Sequence, residues 1–246
     1  MNLVLFEQAE LAPSLLPSAD PRAQHVLKVL RRAPGDTFEV GVVNGAKGIA
    51  TLVESTALGL RLDFRWDAAP PPRPSTRLIV ALPRPQTARD ILRDATTLGV
   101  DTIDFVATAR SDPNYAGSRL WSDGEWRRHL LAGAAQACDT HVPAITWTRS
   151  LDEALADPAH RQGIRLGLDL YETEGEWTAP DKTDTTNEPA EFHIIAIGPE
   201  RGWDAADRAS LRRDGFRLVR LGNRVMRTET AVVAALALIN AQRRPA

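Results

Sequence analysis

The second part of the chain, from Arg77 onward, alternates short apolar runs with segments that have helical spacing. Strands that alternate with helices form a parallel sheet whose two faces are covered by those helices. The sequence therefore predicts an α/β domain built on a parallel sheet of six strands. The predicted strands are RLIVALP (77–83), IDFVAT (103–108), AITWT (144–148), IRLGLDL (164–170), FHIIAIG (192–198) and RLVRLG (217–222).

The segments between these strands carry helix signals. Ser150 and Glu153 form a capping-box pattern, and Gly99 stands where a helix C-cap belongs. The last segment, TETAVVAALALINAQRR, is apolar almost all round, which is typical of a helix buried in a core or at a subunit interface. The polar segment 173–191 has no periodicity and predicts a mobile loop. The predicted helices span 87–99, 125–138, 150–155 and 228–244.

The first 70 residues have a different pattern, in which short strands are separated by glycine-containing turns. This pattern is typical of a small β-barrel, and a short helix is predicted around Val26–Leu30. The stretch Asp67–Ser75 contains four prolines and predicts a stiff boundary between domains. We therefore predict a barrel domain over residues 1–70 and an α/β domain over residues 74–246. The alternating segments of the barrel are Phe38–Val42, Ile49–Val53 and Leu58–Leu62, with a hairpin-turn signal at Asn44-Gly45.

Composition excludes several classes of protein. The 246 residues carry a formal net charge of −2, so any surface that binds nucleic acid must be local. The single cysteine, Cys138, excludes an internal disulfide framework or a cysteine zinc cluster, and it is expected to be a small core hydrophobe. The N-terminus has no signal-peptide pattern, and no apolar run approaches the ~20 residues needed to cross a bilayer. We expect a soluble, cytoplasmic protein with no metal site and no membrane contact.

Two strand ends in the α/β domain have unusual sequences, IGPERGW (197–203) and LGNRVMRTETA (221–231). Ligands of parallel sheets bind beyond the carboxyl ends of the strands, so both ends predict a ligand site. Gly198 and Gly202 allow the backbone to approach a ligand closely. For Thr228 and Glu229 the alternative is a structural role, as the cap and first turn of the last helix. The chain has neither a dinucleotide fingerprint after its first parallel strand nor a P-loop.

These motifs resemble those of the RsmE family, the bacterial 16S rRNA uridine-N3 methyltransferases of the SPOUT class. That family carries an IGPEGG turn and then LG-x-R-[IV]-L-R-x-E-T-A before its last helix, where this chain has IGPERGW and LGNRVMRTETA. Upstream, HVLKVLRRAPGD, ATTLGVDTI and AAQACDTHVPAI resemble further family motifs in the same order. The resemblance covers nearly the whole chain, and its last motif is the most specific.

The resemblance implies a PUA-like, RNA-binding barrel followed by a SPOUT methyltransferase domain with a C-terminal trefoil knot. It implies S-adenosylmethionine as the cofactor, a uridine of 16S rRNA within the small ribosomal subunit as the substrate, and an obligate homodimer. The residues that it implies for cofactor binding are Leu168, Ile197, Gly198, Pro199, Glu200, Gly202, Leu221, Gly222, Asn223, Val225 and Met226.

Methylation at uridine N3 requires that N3 lose its proton and that the base leave any pairing, because N3 lies on the Watson–Crick edge. Arg227 is the candidate for stabilising the uridine anion or gripping a phosphate. Glu229 is the candidate general base, with orienting Arg227 or capping the last helix as alternatives. For His25, the alternative to RNA contact is a role as a helix cap. For the arginines of the barrel, the alternative is a position on the exposed face of a short helix. The candidate RNA contacts are His25, Arg31, Arg32 and Arg84.

The chain departs from the family pattern at positions expected to face RNA. Arg201 replaces a glycine of the GPEGG turn, where it either projects into the cofactor site or points to solvent. The family's E-Q-C-x-R motif is AQACDTH here, without its glutamate and arginine. These losses motivate an alternative function, an RNA-binding or ribosome-assembly protein on the same scaffold without methyltransferase activity. For three tryptophans, base stacking and core packing both stay open: Trp121, Trp126 and Trp203.

Overall fold

The chain folds into two compact units. A computed structural model describes residues 3–12, 14–67, 69–70, 72, 74–160, 163–177 and 192–242. One unit contains residues 1–73 together with 134–142, and the other contains residues 74–133 and 143–246. Most of the predicted loop 173–191, parts of the predicted boundary 67–75 and the end of the predicted last helix lie outside the described residues.

The first unit is built on one five-stranded sheet. Strand β1 pairs with β3 in parallel, and the other pairs are antiparallel, in the order β1-β3-β4-β5-β2. Asn44 and Gly45 lie in the turn between β3 and β4, as predicted, and Asn44 adopts a φ of 56°. Val40 and Leu52 are fully buried in the core of the sheet, whereas Leu58 precedes β5 and is exposed. The strands are β1 (Val4–Phe6), β2 (Leu15–Pro17), β3 (Thr37–Val42), β4 (Lys47–Ser55) and β5 (Gly59–Trp66).

The helix of this unit begins earlier than predicted. Helix α1 spans Pro21–Gln24, and Asp20 caps it by accepting a hydrogen bond of 2.8 Å from the N–H of Arg22. A π-helical turn, His25–Val29, continues it. The helix predicted around Val26–Leu30 is therefore present, but it starts earlier because Asp20 and Pro21 supply the start signal, and Asp20 rather than His25 caps it.

Residues 134–142 complete the first unit. The N–H of Leu3 donates to the carbonyl of Ala135 over 3.0 Å, and the N–H of Val142 donates to Oδ1 of Asn44 over 2.9 Å. Cys138 lies in this segment with a left-handed φ of 52° and is half-buried, so the expectation of a core position for it was wrong. The helix before it ends at Gln136, which takes Cys138 out of the helical pattern that suggested burial.

The second unit is an α/β structure with the six predicted strands. All neighbouring strands are parallel, in the order β11-β9-β10-β6-β7-β8. The central strand β10 is buried at every position, as expected for a sheet covered on both faces. The strands are β6 (Thr76–Ala81), β7 (Thr102–Ala107), β8 (Ala144–Ser150), β9 (Ile164–Leu168), β10 (His193–Ile197) and β11 (Arg217–Val219).

The helices of the second unit follow the predicted signals closely. Ser150 and Glu153 form the predicted capping box, and Gly99, with a φ of 81°, follows the last residues of α2. None of the helices among the described residues is both long and apolar enough to cross a membrane. The helices are α2 (Pro85–Thr97), α3 (Arg119–Ser122), α4 (Trp126–Gln136, whose last three residues belong to the first unit), α5 (Leu151–Leu155), α6 (Ala205–Arg213) and α7 (Thr228–Gln242). Short 3₁₀ turns lie at Pro113–Gly117 and Pro158–His160 in the second unit and at Gln8–Glu10 in the first.

The tryptophans pack rather than project. Trp203 is fully buried, and Trp121 is buried and stacks on Trp147 with ring centroids 5.3 Å apart. Trp126 is half-buried and tilted against Trp147 at 6.0 Å. Core packing therefore describes Trp121 and Trp203, whereas Trp126 packs in part against Trp147.

Candidate functional site

A cavity of about 420 Å³ lies in the second unit, beyond the carboxyl ends of β9, β10 and β11 and beside the start of α7. Its position is the one at which parallel α/β sheets bind ligands, and its size is in the range of small-molecule sites. The lining residues are Arg84, Thr87, Leu168, Asp169, Leu170, Tyr171, Ile197, Gly198, Pro199, Glu200, Gly202, Trp203, Leu221, Gly222, Arg224, Val225, Met226, Arg227, Thr228, Glu229 and Ala231.

The structure brings most of the sequence-derived candidates together at this cavity. Ten of the eleven residues implied for cofactor binding line it, and Asn223 does not. Arg227, Glu229 and Arg84 also line it. His25 belongs to the other unit, as do the exposed residues Arg31 and Arg32, which follow the π-helical turn rather than lying on a helix face.

The turn after β10 is held in shape from two sides. The N–H of Gly202 donates to the carbonyl of Pro199 over 2.7 Å, and Gly202 adopts a left-handed φ of 70° that favours glycine. The guanidinium of Arg110 donates to the carbonyl of Arg201 over 2.7 Å. The side chain of Arg201 is exposed and does not line the cavity, so this departure from the family pattern leaves the cavity open.

Gly198 lies against the ring of Trp203, which leaves little room for a side chain at this position. A Cβ built on Gly198 would lie 3.2 Å from the ring of the buried Trp203, closer than side chains ordinarily pack. Backbone without side chains at such a turn can contact a ligand directly, which suits a cofactor held mostly by main-chain atoms. The cavity's size and this glycine-bearing turn therefore fit S-adenosylmethionine.

The wall formed by the end of β9 is held by contacts from Trp203 and from α6. The indole N–H of Trp203 donates to the carbonyl of Leu168 over 3.0 Å. The carboxylate of Asp169 accepts from the N–H groups of Leu170 (2.7 Å) and Tyr171 (3.0 Å) and from the guanidinium of Arg208. Burial acts to raise the pKa of Asp169, but the hydrogen bond from Arg208 and those from the backbone outweigh it and hold the pKa below its ordinary value.

Sequence reasoning missed the pair Asp169–Arg208. The signal available was Asp169 at the end of an apolar strand, but its partner lies in a polar helix far along the chain. Both side chains are at least nine-tenths buried, so the pair fixes the backbone of the cavity wall rather than meeting solvent.

The rim of the cavity carries most of its charge. Arg84 and Glu200 face each other with Nε and Oε1 4.0 Å apart, and Arg224 and Arg227 are exposed. Glu229 is half-buried in the first turn of α7. Within the described part of the chain, the side chains of Arg227 and Glu229 have no hydrogen-bond or ion-pair partner.

The capping residue of α7 lies one residue earlier than expected. The N–H of Ala231 donates to the carbonyl of Arg227 over 2.9 Å, which makes Arg227 the capping position and Thr228 the first helical residue. The expectation that Thr228 caps the helix was therefore wrong. The described residues contain no group of three or more histidine, cysteine, aspartate or glutamate side chains that could hold a metal ion.

Comparison with known proteins gives consistent matches. The family model for the RNA methyltransferase domain matches residues 70–240. A protein of Treponema pallidum named ribosomal RNA small subunit methyltransferase E is 34% identical over 97% of this chain and 90% of its own length.

Solved structures share the fold. A ribosomal RNA small subunit methyltransferase E of Neisseria gonorrhoeae, solved bound to S-adenosyl methionine, has a TM-score of 0.74 at 23% identity and covers 97% of each chain. A probable rRNA-methyltransferase of Porphyromonas gingivalis has a TM-score of 0.76 at 22% identity and covers 98% of each chain.

Proposed function

This chain belongs to the ribosomal RNA small subunit methyltransferase E family, and we propose that it transfers the methyl group of S-adenosylmethionine to N3 of a uridine in 16S rRNA. One observation carries the proposal: the two motif turns, 197–202 and 221–226, meet at a single cavity at the carboxyl ends of the parallel strands. The alternative of an inactive scaffold is not favoured, because Arg201 lies outside the cavity and the cavity keeps the residues of both motifs.

The proposed chemistry assigns roles to residues of the second motif. S-adenosylmethionine supplies an electrophilic methyl group when it is bound. The turns 197–202 and 221–226 would hold it mainly through backbone, with Leu168 also lining the cavity. Glu229, whose carboxylate has no partner in the described part of the chain, accepts the N3 proton. The exposed guanidinium of Arg227 stabilises the negative charge left on the uridine.

The proposed fold detail is a PUA-like barrel over residues 1–70 and a SPOUT domain with a trefoil knot over residues 74–246. Support for the knot comes from the chain path, since β10 lies between β6 and β9, and the chain must pass β9 to reach β11. Helix α7 then returns to pack against α2 and β10. Support for the barrel comes from the five short strands of the first unit and their common core.

We propose that the barrel contacts rRNA through His25, Arg31 and Arg32, and that Arg84 contacts it at the cavity rim. Exposed arginines of this kind attract phosphate, which normally dominates affinity for nucleic acid. The nearly neutral chain suits an assembled small ribosomal subunit, whose shape adds contacts beyond phosphate attraction. We propose that the enzyme acts in the cytoplasm, where such a substrate is found.

We propose a homodimer that covers α7 in part. In one chain, Val233 and Ala237 of this helix are exposed, and Ala234 and Leu238 are half-buried on the same side. An apolar helix face is costly to leave in water, and a second copy would cover it. Light scattering at micromolar concentration should give twice the mass of the chain. Val233→Glu should shift the measured mass toward that of one chain. A wild-type mass equal to that of one chain would overturn the dimer.

The function itself is tested on ribosomal subunits. Small subunits from a strain lacking the enzyme are incubated with the protein and S-adenosylmethionine, and their 16S rRNA is digested to nucleosides. Mass spectrometry should detect N3-methyluridine, with large subunits as the control substrate. If the small subunits stay unmethylated at N3 while the protein is folded, the substrate assignment is wrong.

A further inference from the structure

We propose that Tyr171 is the stacking platform for the base that receives the methyl group, an inference that rests on the proposed function. Tyr171 lines the cavity, yet it is 73% exposed. An aromatic ring left in solvent beside a ligand site is free to stack on a flat ligand. Base–aromatic stacking tolerates any base, because every base has a π-face.

The backbone that carries Tyr171 is held in place before any ligand arrives. Its N–H donates to the carboxylate of Asp169 over 3.0 Å, and that carboxylate is itself buried and paired with Arg208. Because the backbone is held, only the two side-chain torsions of Tyr171 have to be ordered when a ligand binds.

The ring lies at the mouth of the cavity rather than in its interior. A Cβ built on Gly202 would lie 3.5 Å from Cε2 of Tyr171, so the ring rests beside the turn after β10. The inner lining, which includes Ile197, Pro199 and Trp203, is buried and suits the cofactor. A base flipped out of rRNA must approach from solvent and meets the exposed ring first.

The rest of the rim is mostly cationic, with one exposed carboxylate, that of Glu200, facing Arg84. Arg84, Arg224 and Arg227 are exposed there, and Val225, which is 78% exposed, adds a second apolar surface. Exposed aromatic and cationic side chains side by side are the usual composition of surfaces that bind single-stranded nucleic acid. A flipped uridine with its flanking phosphates matches this arrangement of ring and guanidinium groups.

The experiment compares Tyr171→Ala with Tyr171→Phe, and uses Tyr115→Ala as the matched control because Tyr115 is half-buried and does not line the cavity. Three quantities are measured: the Kd for S-adenosylmethionine by calorimetry, the Kd of the protein loaded with S-adenosylhomocysteine for small subunits, and kcat/KM for N3 methylation. Tyr171→Ala should weaken small-subunit binding and lower kcat/KM by about fivefold to a hundredfold, the range of one lost base stack. Its Kd for the cofactor should stay within about twofold of wild type.

Tyr171→Phe keeps the ring and should behave like wild type, as should Tyr115→Ala. Equal loss in the Phe and Ala variants would overturn the proposal, because it would assign the role to the hydroxyl. Loss of cofactor affinity in Tyr171→Ala would overturn it as well, because the ring would then contact the cofactor. Normal turnover by Tyr171→Ala overturns this inference alone, whereas a wild type that binds small subunits and forms no N3-methyluridine overturns the proposed function.

Discussion

The indole N–H of Trp203 donates a hydrogen bond of 3.0 Å to the main-chain carbonyl of Leu168. This bond joins the residue that follows the IGPERG turn to the last residue of β9, so it ties two walls of the cavity together. Trp203 is also fully buried and contacts the position where a Cβ of Gly198 would lie. One side chain therefore sets the spacing of two elements that are expected to hold the cofactor.

Replacement of Trp203 by Phe should weaken cofactor binding. The variant removes the hydrogen bond to Leu168 while keeping an aromatic ring in the core. The free energy of unfolding should fall by about 1–3 kcal/mol for the unsatisfied carbonyl, in addition to the loss from the smaller ring. The Kd for S-adenosylmethionine, measured by calorimetry, should rise because the end of β9 loses one of the contacts that hold it.

Trp121→Phe is the matched control for this substitution. Trp121 is also buried, but its indole nitrogen has no hydrogen-bond partner within the described ranges, and it does not line the cavity. Its replacement should cost packing energy only and leave the Kd for the cofactor unchanged. Equal Kd values for the two variants would show that the bond from Trp203 does not shape the cavity.

Gly198→Ala should reduce affinity for the cofactor without unfolding the protein. The added Cβ would lie 3.2 Å from the Trp203 ring, which is fully buried and hydrogen-bonded and so has little room to move. The turn after β10 must shift instead, and we expect the Kd for S-adenosylmethionine to rise about tenfold, or roughly 1.4 kcal/mol. Gly117→Ala is the control, since a Cβ there meets nothing within 4 Å. Unchanged affinity in Gly198→Ala would mean that this turn is not in contact with the cofactor.

Arg227→Ala should lower kcat by about a hundredfold, the usual scale for losing one electrostatic stabiliser of developing charge. Cofactor affinity should stay nearly intact, because in the proposed binding mode the cofactor is held mainly by backbone. Single-turnover methylation of small subunits measures the first quantity and calorimetry the second. Arg119→Ala is the control, because that arginine is 89% exposed and does not line the cavity. Normal turnover in Arg227→Ala would leave the substrate assignment intact but would show that Arg227 does not stabilise the uridine anion.

Glu229→Gln distinguishes the roles open to Glu229. The alternative in which it orients Arg227 lacks support, since the two side chains form no ion pair in the structure. If Glu229 is the general base, its replacement by Gln should abolish N3 methylation at neutral pH while the helix and the cofactor site persist. Retained turnover with an unchanged pH profile would exclude it as the base.

The sequence predicted the strands of the second unit well because each carries an apolar run bounded by polar or glycine positions. Helix α2 and the capping box at Ser150 were predictable for the same local reason. The start of α1 was misplaced because the helix signal at Asp20-Pro21 precedes the apolar residues. Local patterns thus located elements well where the apolar residues and the boundary signals coincide.

The sequence did not predict which residues far apart in the chain contact each other. Asp169 and Arg208 lie 39 positions apart, and nothing near either one indicates that they meet in the interior. The packing of residues 134–142 with the first unit was hidden in the same way, because the contacts of Val142 and Thr140 are with Asn44 and Gly45. Buried polar pairs of this kind are decided by the three-dimensional arrangement of the strands.

A second buried polar pair, Asp104–His160, lies in the second unit away from the cavity lining. Nε2 of His160 lies 3.0 Å from Oδ2 of Asp104, and Nδ1 lies 2.8 Å from the carbonyl of Ala154. Both ring nitrogens thus face acceptors, which suits the doubly protonated, charged ring. Thr146 donates to the other oxygen of Asp104 over 2.5 Å.

The pKa values of this pair move in opposite directions. Burial acts to lower the pKa of His160, but its hydrogen bonds to Asp104 and Ala154, with the charges of Asp104 and Asp157, outweigh it and raise the pKa. Burial acts to raise the pKa of Asp104, but hydrogen bonds from His160 and Thr146, with the charge of Arg149, outweigh it and lower the pKa.

The pair should therefore make the free energy of unfolding depend on pH in a defined window. A histidine with a raised folded pKa stabilises fully below its ordinary value of 6.5 and loses that stabilisation as the pH rises through the folded value. An aspartate with a lowered pKa stabilises above its ordinary value of 3.8 and loses that stabilisation as the pH falls through the folded value.

The contribution of the pair should be largest between those two values, and urea unfolding of the wild type should show it decline from pH 6.5 to pH 8. In Asp104→Asn, burial is opposed only by the hydrogen bond to Ala154 and the charge of Asp157, so the pKa of His160 should fall relative to the wild type and the decline of stability above pH 6.5 should shrink. His160→Gln removes the titrating group and should flatten the dependence, and parallel pH profiles for all three proteins would show that the pair does not titrate as the geometry implies.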